Sequence, residues 1–211
     1  MPKIGSNIIR VSRTDSTNKL AWRMIAESPL PEGTLISADY QTHGRGQGEN
    51  NWESADGQNI CVSLILYPHW LPPAEQFSLN KAVSLAVRAT IEELLTGTGI
   101  DGPQLRIKWP NDIYIGLEKV AGILIENSLS GNRFETSVIG IGINLNQNSF
   151  HSDAPNPVSV SRYTPGPVSR NGAIDILGRQ LDFFMDMLKH QGQKEVQRIY
   201  LKHLLGINKK T

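Results

Sequence analysis

The segment Gln41-Thr42-His43-Gly44-Arg45-Gly46-Gln47-Gly48-Glu49-Asn50-Asn51-Trp52 combines alternating glycines with one arginine and a closing tryptophan. Glycines at such spacing let a backbone approach an anion closely and turn N–H groups toward it. Arg45 adds a planar, permanent charge suited to a carboxylate or phosphate, and Trp52 could stack on a base. The spacing is neither that of the P-loop nor that of the dinucleotide fingerprint, and no helix follows. A flexible surface loop is the plainer alternative. Further along, Pro110 in Lys108-Trp109-Pro110-Asn111-Asp112 holds its own φ and extends Trp109. Asn111 and Asp112 could then be presented together as hard oxygen donors to Mg²⁺ or a nucleotide. A plain turn is the alternative there. Lys119-Val120-Ala121-Gly122-Ile123-Leu124 sets a lysine at the entrance of an apolar strand, where it could be only an edge charge. Gly122 inside that strand hints at close approach by a ligand or a second backbone. Gly140-Ile141-Gly142-Ile143-Asn144-Leu145 strips side chains from one face of a strand, as a bulge or a sheet-packing pair also would.

Elements must hold these segments in place. Residues 7–11 read as a strand. Asp15-Ser16-Thr17-Asn18 is a cluster of capping side chains that opens a helix, with Leu20, Ala21, Met24 and Ile25 at helical spacing. Pro29 and Pro31 stop it. Strands are predicted at residues 34–40 and 59–67, the second so apolar that it should be buried. Residues 74–95 carry a helical core face from Phe77 through Val83, Val87 and Ile91 to Leu95, ended by Gly97-Thr98-Gly99. Strands follow at 105–109, 113–115 and 119–127, and Ser130-Gly131-Asn132-Arg133 turns the last into 134–145 as a hairpin. Residues 148–168, rich in proline and serine, read as a loop. Helices are predicted at 173–190, with Leu177, Leu181 and Leu188 on one side, and at 195–205. Strands clustered in meanders with helices against them imply an α+β fold with a mixed, largely antiparallel sheet flanked by helices.

A chain of 211 residues can bury one full core, or one main domain with a small appendage. Lys plus Arg (21) nearly balance Asp plus Glu (20), so no global basic field points to a nucleic-acid partner. Cys61 is the sole cysteine, which excludes an intramolecular disulfide and suits a reducing compartment. Lying in an apolar strand, it reads as an inert core residue. The N-terminus lacks a signal-peptide stretch, and no apolar run is long enough for a bilayer. A cytoplasmic protein without membrane contact is expected. His43, His69, His151, His190 and His203 lack metal-ligand spacing and read as surface or loop residues.

Taken in order, Asp15-Ser16-Thr17-Asn18, Gln41 to Gly46, Lys108 to Asp112, Lys119 to Leu124 and Gly140 to Asn144 resemble the biotin–protein ligases, over residues 8–188. The resemblance implies a catalytic domain related to class II aminoacyl-tRNA synthetases and lipoate ligases. It implies activation of biotin by ATP, with Mg²⁺, to biotinyl adenylate. The biotinyl group then passes to a lysine in the carrier domain of a biotin-dependent carboxylase. By the same resemblance Ser16, Thr17, Asn18 and Gln41 contact the biotin head group, and Gly44, Arg45, Gly46, Gln47, Lys119 and Gly122 complete the substrate site. Arg45 and Lys119 are the implied catalytic cations. Trp52, Lys108, Asn111, Asp112 and Asn144 fall on the nucleotide side, with Asp112 and Asn111 toward Mg²⁺. Gln47 stands where well-known bacterial members carry an arginine that helps retain the adenylate, and Asn50 and Asn51 also replace basic residues. Residues 1–190 are expected to form the catalytic domain, and 191–211 a terminal helix or stub leading to a C-terminal domain, in the family a small β-barrel, that is expected to be absent or truncated. No room is left upstream for a DNA-binding helix-turn-helix, so a repressor role is not expected; a homodimer is compatible. A lipoate or octanoate ligase and a non-catalytic biotin-binding protein are the alternatives.

Overall fold

Apolar residues alternating along the strands decide which way each strand faces. The computed structural model describes residues 3–100, 104–152 and 156–206. The strands are β1 (Ile8–Thr14), β2 (Leu35–Gln41), β3 (Ile60–Leu66), β4 (Leu105–Lys108), β5 (Asp112–Ile115), β6 (Glu118–Ser130) and β7 (Arg133–Ile143). They form one sheet in the order β1-β2-β3-β7-β6-β5-β4. β1 and β2 run parallel, and every other neighbouring pair is antiparallel. This is the mixed, largely antiparallel sheet that the sequence implies.

Ile60, Val62, Leu64 and Leu66 of β3 and Ile139, Ile141 and Ile143 of β7 enter one large core. There they meet α2 (Gln76–Leu94), α3 (Arg170–His190) and α4 (Gln193–His203). The alternate residues, Cys61, Ser63 and Ile65 on β3 and Val138, Gly140 and Gly142 on β7, point to the opposite face. The helix α1 (Thr17–Glu27) covers part of that face, packing Ala21 with Ile36, Ile65 and Val138. The remainder of the face carries the site.

Local chemistry sets several boundaries. β6 and β7 join through a two-residue turn at Gly131-Asn132, where Gly131 adopts φ 56°. α3 starts at Arg170 rather than at 173, because the Ser169 hydroxyl accepts the Gly172 N–H and caps the helix. α4 is the helix expected near 195–205, and it packs into the core. Val196 and Tyr200, one helical turn apart, are buried in the main core, and the Tyr200 ring meets Phe77 edge-on at 6.1 Å. Residues 193–203 therefore share the core of the rest, whereas 207–211 lie outside the described residues. Burial pushes the Tyr200 phenol up to about 12. His203 corrects the reading of all five histidines as surface or loop residues. It lies half-buried on α4, and burial together with the nearby Arg88 charge lowers its pKa to about 4.

Candidate active site

Strand register gathers distant residues into rows on the open part of the sheet. One row crosses β4 to β3 as Lys108, Asp112, Gly122, Gly142 and Cys61. The next holds Leu124, Gly140 and Ser63. Above these rows lies a cavity of about 630 Å³, bounded by the start of α1, the segment 45–52 and strands β5 and β6.

Gly142 and Gly140 are glycines because other side chains occupy the space of their missing Cβ atoms. A Cβ at Gly142 would run into the Trp52 indole, and at Gly122 one would lie 3.1 Å from the same ring. The close approach hinted at by Gly122 is thus made by the Trp52 side chain, which forms part of the cavity wall. A Cβ at Gly140 would sit 2.6 Å from Asn18 Oδ1, so this glycine lets α1 press its first turn onto the sheet.

The inner end of the cavity is polar. Ser16 occupies the N-cap position of α1, yet its side chain makes no capping hydrogen bond. The Thr17 backbone N–H instead donates to Gln41 Oε1 at 2.8 Å. Ser63 Oγ lies 2.8 Å from Thr17 Oγ1 and 2.6 Å from Asn18 Oδ1. Asn18 Nδ2 donates to Glu126 Oε2 at 2.8 Å. Ser16, Thr17, Asn18 and Gln41, all predicted as ligand contacts, therefore converge at one end of the cavity. Asp15 makes an ion pair with Arg23 at 2.8 Å, which holds its carboxyl well below the usual carboxylate range.

Residues 45–51 form a small hairpin rather than a shapeless loop. Arg45 and Asn51 bridge it, and Gly46 N–H donates to Asn50 O at 2.7 Å. Arg45 Nη1 reaches Glu126 Oε1 at 2.9 Å. Arg45, Gly46 and Gln47 line the cavity, while Gly44 lies behind them under the Trp52 carbonyl. Glu53 anchors the hairpin's exit by accepting the N–H groups of His151 and Ser152. Burial alone would raise the Glu53 carboxyl, but those donors outweigh it and hold it low.

On the far wall Lys119 Nζ lies 2.8 Å from Asp112 Oδ1 and 5.9 Å from the Trp52 ring centroid. Lys108 Nζ sits 5.2 Å from the Tyr114 ring centroid. Asn111 is buried, and its amide nitrogen donates to the Ile123 carbonyl, which ties the turn after β4 to β6. Asn144 follows β7 and its backbone N–H donates to Val120 O; its buried Oδ1 has no hydrogen-bond partner, and it is not on the cavity wall. Cys61 ends the row, and burial pushes its thiol pKa up. Ser63, Tyr114 and Glu126 carry no motif, yet all belong to this neighbourhood. A serine and a glutamate interrupting apolar strands were the only signals in the sequence.

A profile of the Biotin/lipoate A/B protein ligase family matches residues 11–144. The chain belongs to this family. The bifunctional ligase/repressor BirA of Bacillus subtilis is 35% identical over 208 residues, a match covering 97% of this chain and 61% of that protein. The biotin–[acetyl-CoA-carboxylase] ligase of Paracoccus denitrificans is 31% identical over 196 residues, covering 90% of this chain and 78% of that one. Among solved structures, the biotin protein ligase of Aquifex aeolicus in complex with biotin and ATP superposes with a TM-score of 0.79 at 26% identity, covering 95% of this chain and 79% of that one. The chain thus spans about 61% of the length of the Bacillus relative.

Within this biotin/lipoate ligase fold two of the three cations that line the cavity are acid-paired, and the third, Lys108, lies against Tyr114. Arg45 faces Glu126 and Lys119 faces Asp112. Among the described residues no group of three His, Cys, Asp or Glu stands ready to hold a metal. Asp112 and Glu49 are the carboxylates on the cavity wall, a sparse donor set that would leave Mg²⁺ arriving with nucleotide phosphates most of its waters. Asn111, with its amide nitrogen committed to β6, is at most a second donor through Oδ1.

Proposed function

We propose that this chain activates biotin with ATP to biotinyl adenylate and transfers the biotinyl group to a lysine of a biotin carboxyl carrier domain. The observation that carries this reading is the pairing of a polar inner end (Thr17, Asn18, Gln41, Ser63) with two cations, Arg45 and Lys119, around one cavity. The ureido head of biotin has both donors and an acceptor, which such an end can satisfy. A linear lipoyl chain would ask for an apolar tunnel instead. The Aquifex relative was solved with biotin and ATP.

The chemistry brings two anions together, because the biotin carboxylate must attack the α-phosphate and expel pyrophosphate. Arg45 and Lys119 offset that repulsion and stabilise charge gathering on the phosphate oxygens. For Lys119 this means exchanging Asp112 for the reacting oxygens. Mg²⁺ bound with ATP would supply further charge neutralisation, with Asp112 as the carboxylate that holds it. Trp52, stacked against glycines, offers a flat wall to the nucleotide. The hairpin 45–51 shields the mixed anhydride from water. The acceptor lysine then attacks the carbonyl carbon and AMP departs. No described helix is long and apolar enough to cross a membrane, and a cytoplasmic location fits the lone reduced cysteine.

The test is pyrophosphate exchange into ATP. Exchange should depend on both biotin and Mg²⁺, and lipoate should not replace biotin. Equal exchange with lipoate would move the assignment to the lipoate branch of the family.

A further inference from the structure

Glu126 is out of place electrostatically. It sits on the site face of β6, in register opposite Val138 and two residues beyond Leu124, next to a cavity whose proposed ligands are all anions. A carboxylate there repels them, yet both of its oxygens are engaged. Oε1 takes Arg45 Nη1 at 2.9 Å and Oε2 takes Asn18 Nδ2 at 2.8 Å.

The first of these bonds ties down a segment that otherwise has little to hold it. Among the described residues, the stretch from Arg45 to Asn51 makes its other hydrogen bonds within its own hairpin. Arg45 to Glu126 is the one that reaches the rest of the fold. The hairpin's side chains are mostly exposed, and Arg45 itself is 38% exposed. On the other oxygen, Glu126 shares with the Leu124 carbonyl in setting which way the Asn18 amide points. With Nδ2 donated to Glu126, Oδ1 is left for the Ser63 hydroxyl. Asp112 differs, since its partner Lys119 is already held by the paired strands β5 and β6.

We propose that Glu126 is a positioning residue that latches the hairpin 45–51 to β6 and aims Arg45 into the cavity. One guanidinium nitrogen is held by the carboxylate, and the remaining donors stay available to a ligand carboxylate or phosphate. The anion that Glu126 would repel is thereby met by a cation already in place. The catalytic part of this proposal rests on the adenylation reading above; the latch itself does not.

Glu126→Gln separates the two contacts. The glutamine carbonyl can still accept from Asn18, which leaves its amide nitrogen facing Arg45, donor against donor. In the ligand-free full chain, hydrogen exchange across residues 45–51 should quicken in Glu126→Gln while β6 and β7 keep their protection. Adenylation kcat/KM should fall by about 10- to 100-fold, the upper end being the scale of a misplaced reacting group, and Glu126→Asp should recover part of it. If Glu126 works through Arg45, combining Glu126→Gln with Arg45→Ala should be no slower than Arg45→Ala alone. Unchanged exchange at 45–51 in Glu126→Gln would overturn the latch, and multiplicative losses in the double variant would overturn its action through Arg45. Wild-type protein lacking biotin-dependent exchange of pyrophosphate would instead sink the adenylation reading, with the hydrogen-exchange result still deciding the latch.

Discussion

The two faces of the sheet are built from the same strands and do opposite work. On the helix-covered face, β7 contributes Ile139, Ile141 and Ile143, all buried against α2, α3 and α4. On the other face the same strand contributes Val138, Gly140 and Gly142, the last two carrying no side chain at all. On the first face these three side chains are at most 1% exposed, and in so closed a core a lost methyl is felt. On the second, the space left by glycine is taken by Asn18 and Trp52, which bring polar and aromatic groups onto the sheet. Packing is thus made by large side chains on one parity of residues, and the site by small ones on the other.

This contrast can be broken from either side. The largest effect belongs to Lys119→Ala, which removes a cation from the site face and should lower the adenylation rate about 100-fold, the scale of a lost charge-stabilising donor. Its melting temperature should stay close to wild type; a normal rate would remove Lys119 from the chemistry. Next comes Gly142→Ala. The added methyl must displace Trp52, so turnover should fall by about tenfold or more through misplacement of the nucleotide wall. Intrinsic tryptophan emission should shift as well, and an unshifted spectrum would mean that the ring does not lie there.

One position away on the opposite parity, Ile141→Val should cost about 1 kcal/mol of stability and leave the rate per folded molecule unchanged. Denaturant unfolding and adenylation assays together check this, and a change in rate without a change in midpoint would erase the distinction between the faces. The smallest effect concerns pH. Unfolded chain takes up a proton on His203 near 6.5, whereas the folded protein holds it off to about 4. Between those values the unfolded state binds more protons, so stability falls as pH drops. His203→Gln should flatten the slope of melting temperature against pH in that window, relative to wild type. Identical slopes would show that the imidazole is solvated.

Much of the core was legible in the chain. The run 60–66 and the helical spacing of Val83, Val87 and Ile91 lead to β3 and α2 with little error, because burial of apolar surface is written directly as periodicity. The polar strand ends are harder: β1 continues through Arg13 and Thr14, held by its parallel pairing with β2 rather than by side-chain pattern. The hairpin at 45–51 also escaped, since glycine-rich sequence permits a loop and a hairpin equally.

For the site, sequence by itself determined the chemical inventory: Arg45 and Lys119 as cations, Asp112 as a carboxylate, Thr17, Asn18 and Gln41 as polar partners, Trp52 as an aromatic wall. Tertiary structure alone decided how they are joined. Register sets Gly142 beside Gly122 and thereby gives Trp52 its place, and it brings Glu126 within reach of both Asn18 and Arg45. Asn144 carries a recognisable motif yet lies off the cavity wall, and Ser63 carries none yet bridges Thr17 and Asn18. The physical reason is that residue type states what a group can bond to and local alternation states which face it takes, whereas the order of strands in the sheet, which decides what lies beside it, is set by contacts between segments far apart in sequence.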